Sequence, residues 1–414
     1  MSERSGTTGF FQVAGTREVL DAFAWLRPGP PETVPILDAL GRPLAADVVA
    51  AIDVPHFTRA VMDGYAVAAA DTFGASESQP AYLTIRGGVT MGTAPEERVG
   101  PGDALRIATG GMLPYGADAV VMWEHTRESG DILEVHRPVA PGEHIVTVGE
   151  DVRDGETVLT AGHVLRPADI GLLAGLGVTE IAVARRPRVA IISTGDELVA
   201  PEEEPGPGRV RNVNQYSLGA WVRHLGADPL LLGRVRDDAD EILALVRRAV
   251  AGADLVLISG GSSAGARDLT RAVVESLGDP GLLFHGIAVR PGKPTVVGAH
   301  RDVPVFGLPG HPISAMVIFL VLVRPLIERL LGIPPGEGGV KVLARLSDNL
   351  PSQAGREDYY QVALRPAAGG MEAVPVFRKS GLVSAMVRGR GMVRVAAERE
   401  GLEAGELVEV DLLG

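Results

Sequence analysis

Residues 254–270, DLVLISGGSSAGARDLT, and 287–318, IAVRPGKPTVVGAHRDVPVFGLPGHPISAMVI, contain three turns built alike. Asp254–Ser259 has the pattern of a buried strand. Gly260, Gly261, Ser262, Ser263, Ala264 and Gly265 then leave little side-chain bulk, so a ligand can approach backbone N–H groups closely. Val305–Leu308 reads as a second strand, broken by Pro309-Gly310-His311-Pro312, with a helix starting near Pro312. Between them, Arg290 and Lys293 bracket Pro291-Gly292 and project two cations from a rigid turn. Taken singly, each turn reads equally well as a surface loop. Together they read as a polyanion pocket at the C-terminal edge of a parallel sheet.

The texture upstream supports such a sheet. RVAIIST (188–194) is a nearly continuous apolar strand followed by GDELV. A helix is expected over 214–225, a strand over 229–235 and a helix over 237–252, which puts Ile242, Leu243, Leu245, Val246 and Val250 on one side. Buried strands alternating with helices of this length indicate a doubly wound α/β domain. Its topology brings Thr194–Leu198, Ser259–Asp268 and Leu308–Pro312 to one edge. Asp196, Glu197 and Asp268 then share that edge with Arg290 and Lys293. Acids beside cations suit a phosphate–Mg²⁺ site; structural pairing among the charges is the competing reading.

The flanks differ. Residues 17–27 have helical spacing, and 28–34 form a Pro/Gly linker. PILDALGRPLAADVVA (35–50) offers a short helical segment, a break at Gly41 and a second segment. VPHFTRAVMDGYAV (54–67) places Arg59, Asp63 and Tyr65 around Asp63-Gly64, which as a dipeptide predicts a hairpin turn. Residues 80–140 alternate apolar and polar in short runs and predict a β-rich module, with a small-residue turn at Thr109, Gly110 and Gly111. Residues 141–178 carry regular turn signals, the acidic pair Glu150-Asp151 and a short helix near Pro167. The pair could bind a cation or activate a hydroxyl, or simply be a solvated turn. A helix is expected over 311–331. GIPPGEGG (332–339) is a linker, and the strands VKVLARL, YYQVALRP, EAVPVF and LVEVDLL in 340–414 predict a small C-terminal β-barrel or sandwich.

Composition narrows the chemistry. The 414 residues suggest two to four domains, and 46% apolar content is enough for sizeable cores. A net charge of −13 without a long basic stretch argues against nucleic-acid binding. With no cysteine, any sulfur chemistry belongs to the ligand. The nine histidines are scattered without HExxH spacing, so zinc catalysis is not expected. No signal-peptide pattern opens the chain, and the longest apolar run, 313–323, is too short to span a bilayer. A cytoplasmic protein without membrane attachment is expected.

VMDGYAV, RIATGGMLPYGADAVVMWE, VGEDV, ISTGDELV, SGGSSAGARD, RPGKP and FGLPGHP, in this order across 54–318, resemble the molybdopterin molybdenumtransferases, the MoeA family, related to the E domain of gephyrin. The resemblance implies an elongated homodimer of four-domain chains. The domains would be a linking domain (28–53 with 141–178), a β-rich inserted module (54–140), a molybdopterin-binding α/β domain (10–27 with 179–331) and a C-terminal β-barrel (332–414). It implies that molybdate is inserted into adenylylated molybdopterin with magnesium and release of AMP.

Arg290 and Lys293 would bind the molybdate dianion, with Ser314 and Arg356 as further candidates. Ser259, Gly260, Gly261, Ser262 and Gly265, with Pro309, Gly310 and Pro312, would receive phosphate or pterin groups. Glu197 and Asp268 would hold magnesium. Asp63, Thr109 and Asp151 would reach the site across the dimer cleft. Candidate protein partners are the molybdopterin adenylyltransferase and molybdoenzyme apoproteins. The chain departs from the family pattern at Asn212, where an aspartate is usual, at Arg290 for lysine, at His311 for asparagine and at Ile145–Val148 for an arginine-rich run. The missing carboxylate motivates a second reading, a non-catalytic molybdopterin-binding scaffold. The Gly-rich turn allows a third, molybdopterin adenylylation.

Overall fold

The computed structural model describes residues 13–260, 264–335, 339–376, 381–382 and 384–413, with backbone only at 264–268, 385 and 386. RVAIIST is apolar from Val189 to Ile192 because both of its faces are covered there. Val189 and Ile191 pack into one core cluster, Ala190 and Ile192 into another. Successive side chains point to opposite faces, so a strand with no polar face must lie between two layers.

Among the described residues six strands form this sheet: β1 (Arg188–Thr194), β2 (Asp228–Val235), β3 (Leu255–Ser259), β4 (Pro280–His285), β5 (Val296–His300) and β6 (Val303–Leu308). Their order is β2-β1-β3-β6-β5-β4; the first four are parallel, and β5 runs antiparallel to both neighbours.

Helices α1 (Thr16–Ala22), α2 (Asn214–His224) and α5 (Pro312–Ile318) pack on one face, and α3 (Ala239–Val250) and α4 (Ala264–Leu277) on the other. Helix α3 starts where Asp238 Oδ1 accepts the N–H groups of Asp240 and Glu241, at 3.0 and 2.9 Å. The helix expected over 311–331 is interrupted. A π-turn at Phe319–Val323 separates α5 from α6 (Arg324–Leu330). Pro325 lacks the N–H an α-turn would send to Val321, and its ring crowds that carbonyl, so the wider turn relieves both problems.

The inserted module has one six-stranded sheet among the described residues: Gly64–Val67, Ala81–Gly88, Asp103–Ile107, Ala119–Met122, Thr126–Ser129 and Ile132–Val135. The hairpin predicted at Asp63-Gly64 is absent. Arg59–Ala60 pairs with Ile145–Val146, whereas Gly64–Val67 pairs with 103–107 and 119–122. The glycine is there for proximity: a Cβ on Gly64 would lie 2.0 Å from the Val121 carbonyl oxygen.

In the linking unit, Glu32–Pro35 pairs with Glu180–Val183 and Val48–Val49 with Thr157–Leu159. On that ladder we propose to draw the boundary of the unit after Val183 rather than at 178.

The C-terminal strands Lys341–Leu346, Glu357–Ala367, Gly370–Pro375, Gly391–Val395 and Leu407–Leu412 close into a barrel. Gly391–Val395, which the sequence reading missed, closes it by pairing with both 358–362 and 411–412. Among the described residues no helix is long and apolar enough to cross a membrane.

Phe23, fully buried, stacks on Phe306 of β6 with ring centroids 5.7 Å apart, which makes the N-terminal helix part of the α/β core. Phe23→Ala is expected to cost about 3–5 kcal/mol. Urea unfolding monitored by circular dichroism reads the loss.

Candidate functional site

The register of the sheet decides what meets at its edge. Thr194 is level with Val235, Ser193 with Ser259, Ser259 with Leu308, Gly307 with Val296, and Val296 with His285. The segments that follow β1, β3, β4 and β6 therefore leave the sheet on one side, the C-terminal edge. This is where ligands meet open α/β sheets.

A cavity of about 520 Å³ opens there, lined by Thr194, Glu197, Arg209, Asn214, Gly260 and His311 among others. Gly260 cannot carry a side chain: its Cβ would sit 2.1 Å from Thr194 Oγ1 and 2.2 Å from the Thr194 carbonyl oxygen. Asn214 ties two lips of the cavity together. Its Nδ2 donates to Ser259 Oγ at 2.8 Å and to the Gly310 carbonyl at 2.9 Å. A carbonyl only accepts, which fixes the amide orientation and leaves Oδ1 buried without a donor among the described residues.

Asn212, at the departure from the family pattern, is absorbed into the fold. Ser193 Oγ and the Gln215 N–H donate to its Oδ1 at 3.2 and 3.3 Å, and its Nδ2 donates to Gln215 Oε1 at 3.0 Å. Pro309 and Ser314 are buried behind the Gly310 turn, and Pro312 opens α5. Gly261 and Ser262 lie outside the described residues. Gly265 falls in α4.

A second cavity of about 330 Å³ is lined by Arg290, Lys293, Gly355 and Arg356, with Val13 at its side. Its two halves come from different domains. Val289–Arg290 pairs in parallel with Glu357–Asp358 of the barrel, so the RPGKP turn is hydrogen-bonded into the barrel wall. Behind it lies Asp358, 1% exposed. Arg290 Nη1 donates to Asp358 Oδ2 at 3.3 Å, and Arg356 donates from Nε to Oδ1 at 2.8 Å and from Nη2 to Oδ2 at 3.5 Å. Lys293 is exposed and forms no ion pair among the described residues. Three cations against one buried carboxylate leave a local excess of positive charge in a chain whose net charge is −13.

Glu197 stands in a negative region. Burial, then the charges of Asp196 and Glu197, push the Asp237 carboxyl above its ordinary value. Among the described residues, Asp237 Oδ1 is buried without a donor. A divalent cation would relieve this edge, although no three carboxylate or imidazole groups converge on one point among the described residues. The side chain of Asp268 lies outside the description.

Asp63 and Thr109 do meet. The Thr109 N–H donates to Asp63 Oδ1 at 2.7 Å and its hydroxyl donates to the same oxygen at 3.0 Å. These bonds, the backbone one first, hold the Asp63 carboxyl below its ordinary value. Asp151 is exposed; its N–H donates to the Val54 carbonyl at 3.0 Å. None of these three residues lines either cavity of its own chain. Sequence reasoning passed over Arg209, Asn214 and Asp358. Asn214 had a signal in the NVN run, and Asp358 in its place two residues after Arg356.

Asn214→Ala should lower stability by about 1–3 kcal/mol, since it strands the Gly310 carbonyl, and Asn214→Asp by more, since an acceptor then faces that carbonyl. Urea midpoints measure both. Thr109→Val removes the weaker of two donors to Asp63, so its carboxyl should move partway back towards 3.8. NMR titration of Asp63 follows this directly. With the folded value the lower one, the contact stabilises the protein above pH 3.8 and ceases to as pH falls through the depressed value.

Residues 13–177 match the MoeA N-terminal region (domain I and II), 190–329 the probable molybdopterin binding domain, and 343–413 the MoeA C-terminal region (domain IV). The molybdopterin molybdenumtransferase of Bacillus subtilis is 34% identical over 391 residues, covering 93% of this chain and 90% of its own. Molybdopterin molybdenumtransferase 2 of Mycobacterium tuberculosis is 38% identical over 347 residues, covering 82% and 84%. The crystal structure of the molybdopterin biosynthesis MoeA protein from Pyrococcus horikoshii superposes with a TM-score of 0.86 at 34% identity, covering 97% of this chain and 100% of that one. The chain belongs to the MoeA family.

Proposed function

We propose that this chain is a transferase that inserts molybdenum into molybdopterin, working in the cytoplasm. The relatives named molybdopterin molybdenumtransferase support the reaction class. The observation that carries it is the pairing of two cavities at one sheet edge. One is cationic, with room for a tetrahedral oxyanion; the other is larger, with a side-chain-free turn at Gly260.

In this reading Arg290, Lys293 and Arg356 hold molybdate, and Ser314, buried behind the Gly310 turn, supports the larger cavity instead. Ser259, Gly260 and the Pro309-Gly310-His311-Pro312 turn receive the phosphate and pterin side of adenylylated molybdopterin; Gly261, Ser262 and Gly265 extend that surface. The dithiolene sulfurs of the substrate replace oxygens of molybdate, which leave as water with the thiol protons, and water adds across the phosphoanhydride as AMP leaves. Magnesium, held by Glu197 with Asp268, would neutralise charge at that anhydride. The gathering of Asp196, Glu197 and Asp237 favours its presence.

A second copy of the chain is needed if Asp63, Thr109 and Asp151 take part, because they line neither cavity of their own chain. Asp63, ionised by its two hydrogen bonds, would face the site from the partner. The adenylyltransferase that makes the substrate and the apoproteins that receive the product are the protein partners this role requires. The scaffold reading rests on Asn212, which lines the larger cavity with its amide bound to Ser193 and Gln215, and predicts binding without release.

The test is AMP release from adenylylated molybdopterin with Mg²⁺, with and without molybdate. Molybdate-dependent release is expected. Release without molybdate, or binding without release, overturns the assignment. Lys293→Ala should weaken molybdate use about tenfold or more, since hydrogen bonds to charged groups contribute about 1.5–3 kcal/mol.

A further inference from the structure

Glu357 and Asp358 are adjacent acids on one strand, and adjacent strand residues point to opposite faces. Their surroundings differ accordingly. Glu357 accepts from Thr16 Oγ1 at 2.9 Å, Tyr359 Oη at 3.0 Å and Arg394 Nη1 at 2.9 Å, fastening the barrel to the N-terminal helix. Asp358 is bound instead by Arg290 and Arg356, one from each domain, and both of those arginines line the cationic cavity. Asp358 is not part of the lining; it sits behind it.

We propose that Asp358 is the positioning residue of the oxyanion site, holding Arg290 and Arg356 in the geometry that receives a tetrahedral dianion. Two guanidiniums near one another repel, and each long side chain has many rotamers to lose on binding. A buried carboxylate that engages both removes the repulsion and settles those rotamers before the ligand arrives. The side chain of Arg290 is 57% exposed and that of Arg356 33%, so neither is held in place by packing alone. Because one arginine comes from the α/β domain and the other from the barrel, Asp358 also sets the distance between the two halves of the site.

The sign of the effect tests this. Removing the Asp358 charge makes the cavity more positive, so attraction alone predicts tighter anion binding. Positioning predicts weaker binding. The inference rests on the reading of this cavity as the molybdate site, and the experiment separates the two. Molybdate is titrated calorimetrically into the full chain and into Asp358→Asn, Arg356→Lys and Lys293→Ala, with circular dichroism to confirm folding.

Asp358→Asn should lose about tenfold in molybdate affinity, with KM for molybdate raised and kcat retained. Arg356→Lys keeps the charge but not the two-point contact with Asp358, and should lose a similar factor; it serves as the test if Asp358→Asn does not fold. Unchanged or tighter binding by either variant, while Lys293→Ala still loses affinity, overturns the role of Asp358 alone. Wild-type affinity in Lys293→Ala overturns the cavity assignment and this inference with it.

Discussion

Strand β3 has no solvent on either side. Leu255 through Ser259 are buried without exception between β1 and β6, and the rest of the α/β domain depends on that arrangement. Fully burying a side chain of this kind contributes about 1.5–3 kcal/mol, but the more consequential effect is on register. A slip by one residue would move each apolar side chain to the other layer. The two cores are different sets of residues, so the register is fixed, and the level at which each strand ends is fixed with it. The turns that form the cavities take their relative heights from this one constraint.

The parts of the fold legible in the sequence were those where one physical requirement dominates. RVAIIST and LVLIS read as strands buried between layers, and helix α3 showed its apolar side, while its start at Asp238 came only with the structure. Asp63-Gly64 misled because the same dipeptide serves a turn or a close approach. What decides here is the Val121 carbonyl on another strand, which local sequence does not reveal. Gly391–Val395 went unread because the strand is short, opens on glycine, and is defined by partners at 358–362 and 411–412. The π-turn depends on Pro325, which stands just beyond the apolar run 313–323.

The candidate site divides the same way. Arg290 and Lys293 announce themselves by standing on a Pro-Gly turn, and Gly260 by its place after a buried strand. Arg356 entered through the family resemblance alone. Asp358 and Asn214 are marked only weakly, one by its place two residues after Arg356 and the other by the Asn-Val-Asn run at 212–214. One is an acid in a strand, the other an amide at a helix start, and each matters through residues tens of positions away. Local electrostatics also overrides the global balance. The acidic chain concentrates cations at one cavity and carboxylates along Asp196, Glu197 and Asp237, so an anion and a metal cation can be attracted to one edge without neutralising each other's hosts.

The two-residue ladder between 289–290 and 357–358 bears on how such a chain can be taken apart. By sequence, the linker after Leu331 is the natural place to cut, and the pieces on either side look like independent modules. The ladder says otherwise. A chimera that exchanged the barrel for another's would replace Arg356 and Asp358 and leave Arg290 facing an unfamiliar wall. Recombination in this family is therefore expected to preserve the α/β domain and the barrel as an inherited pair, whatever the covalent boundary suggests.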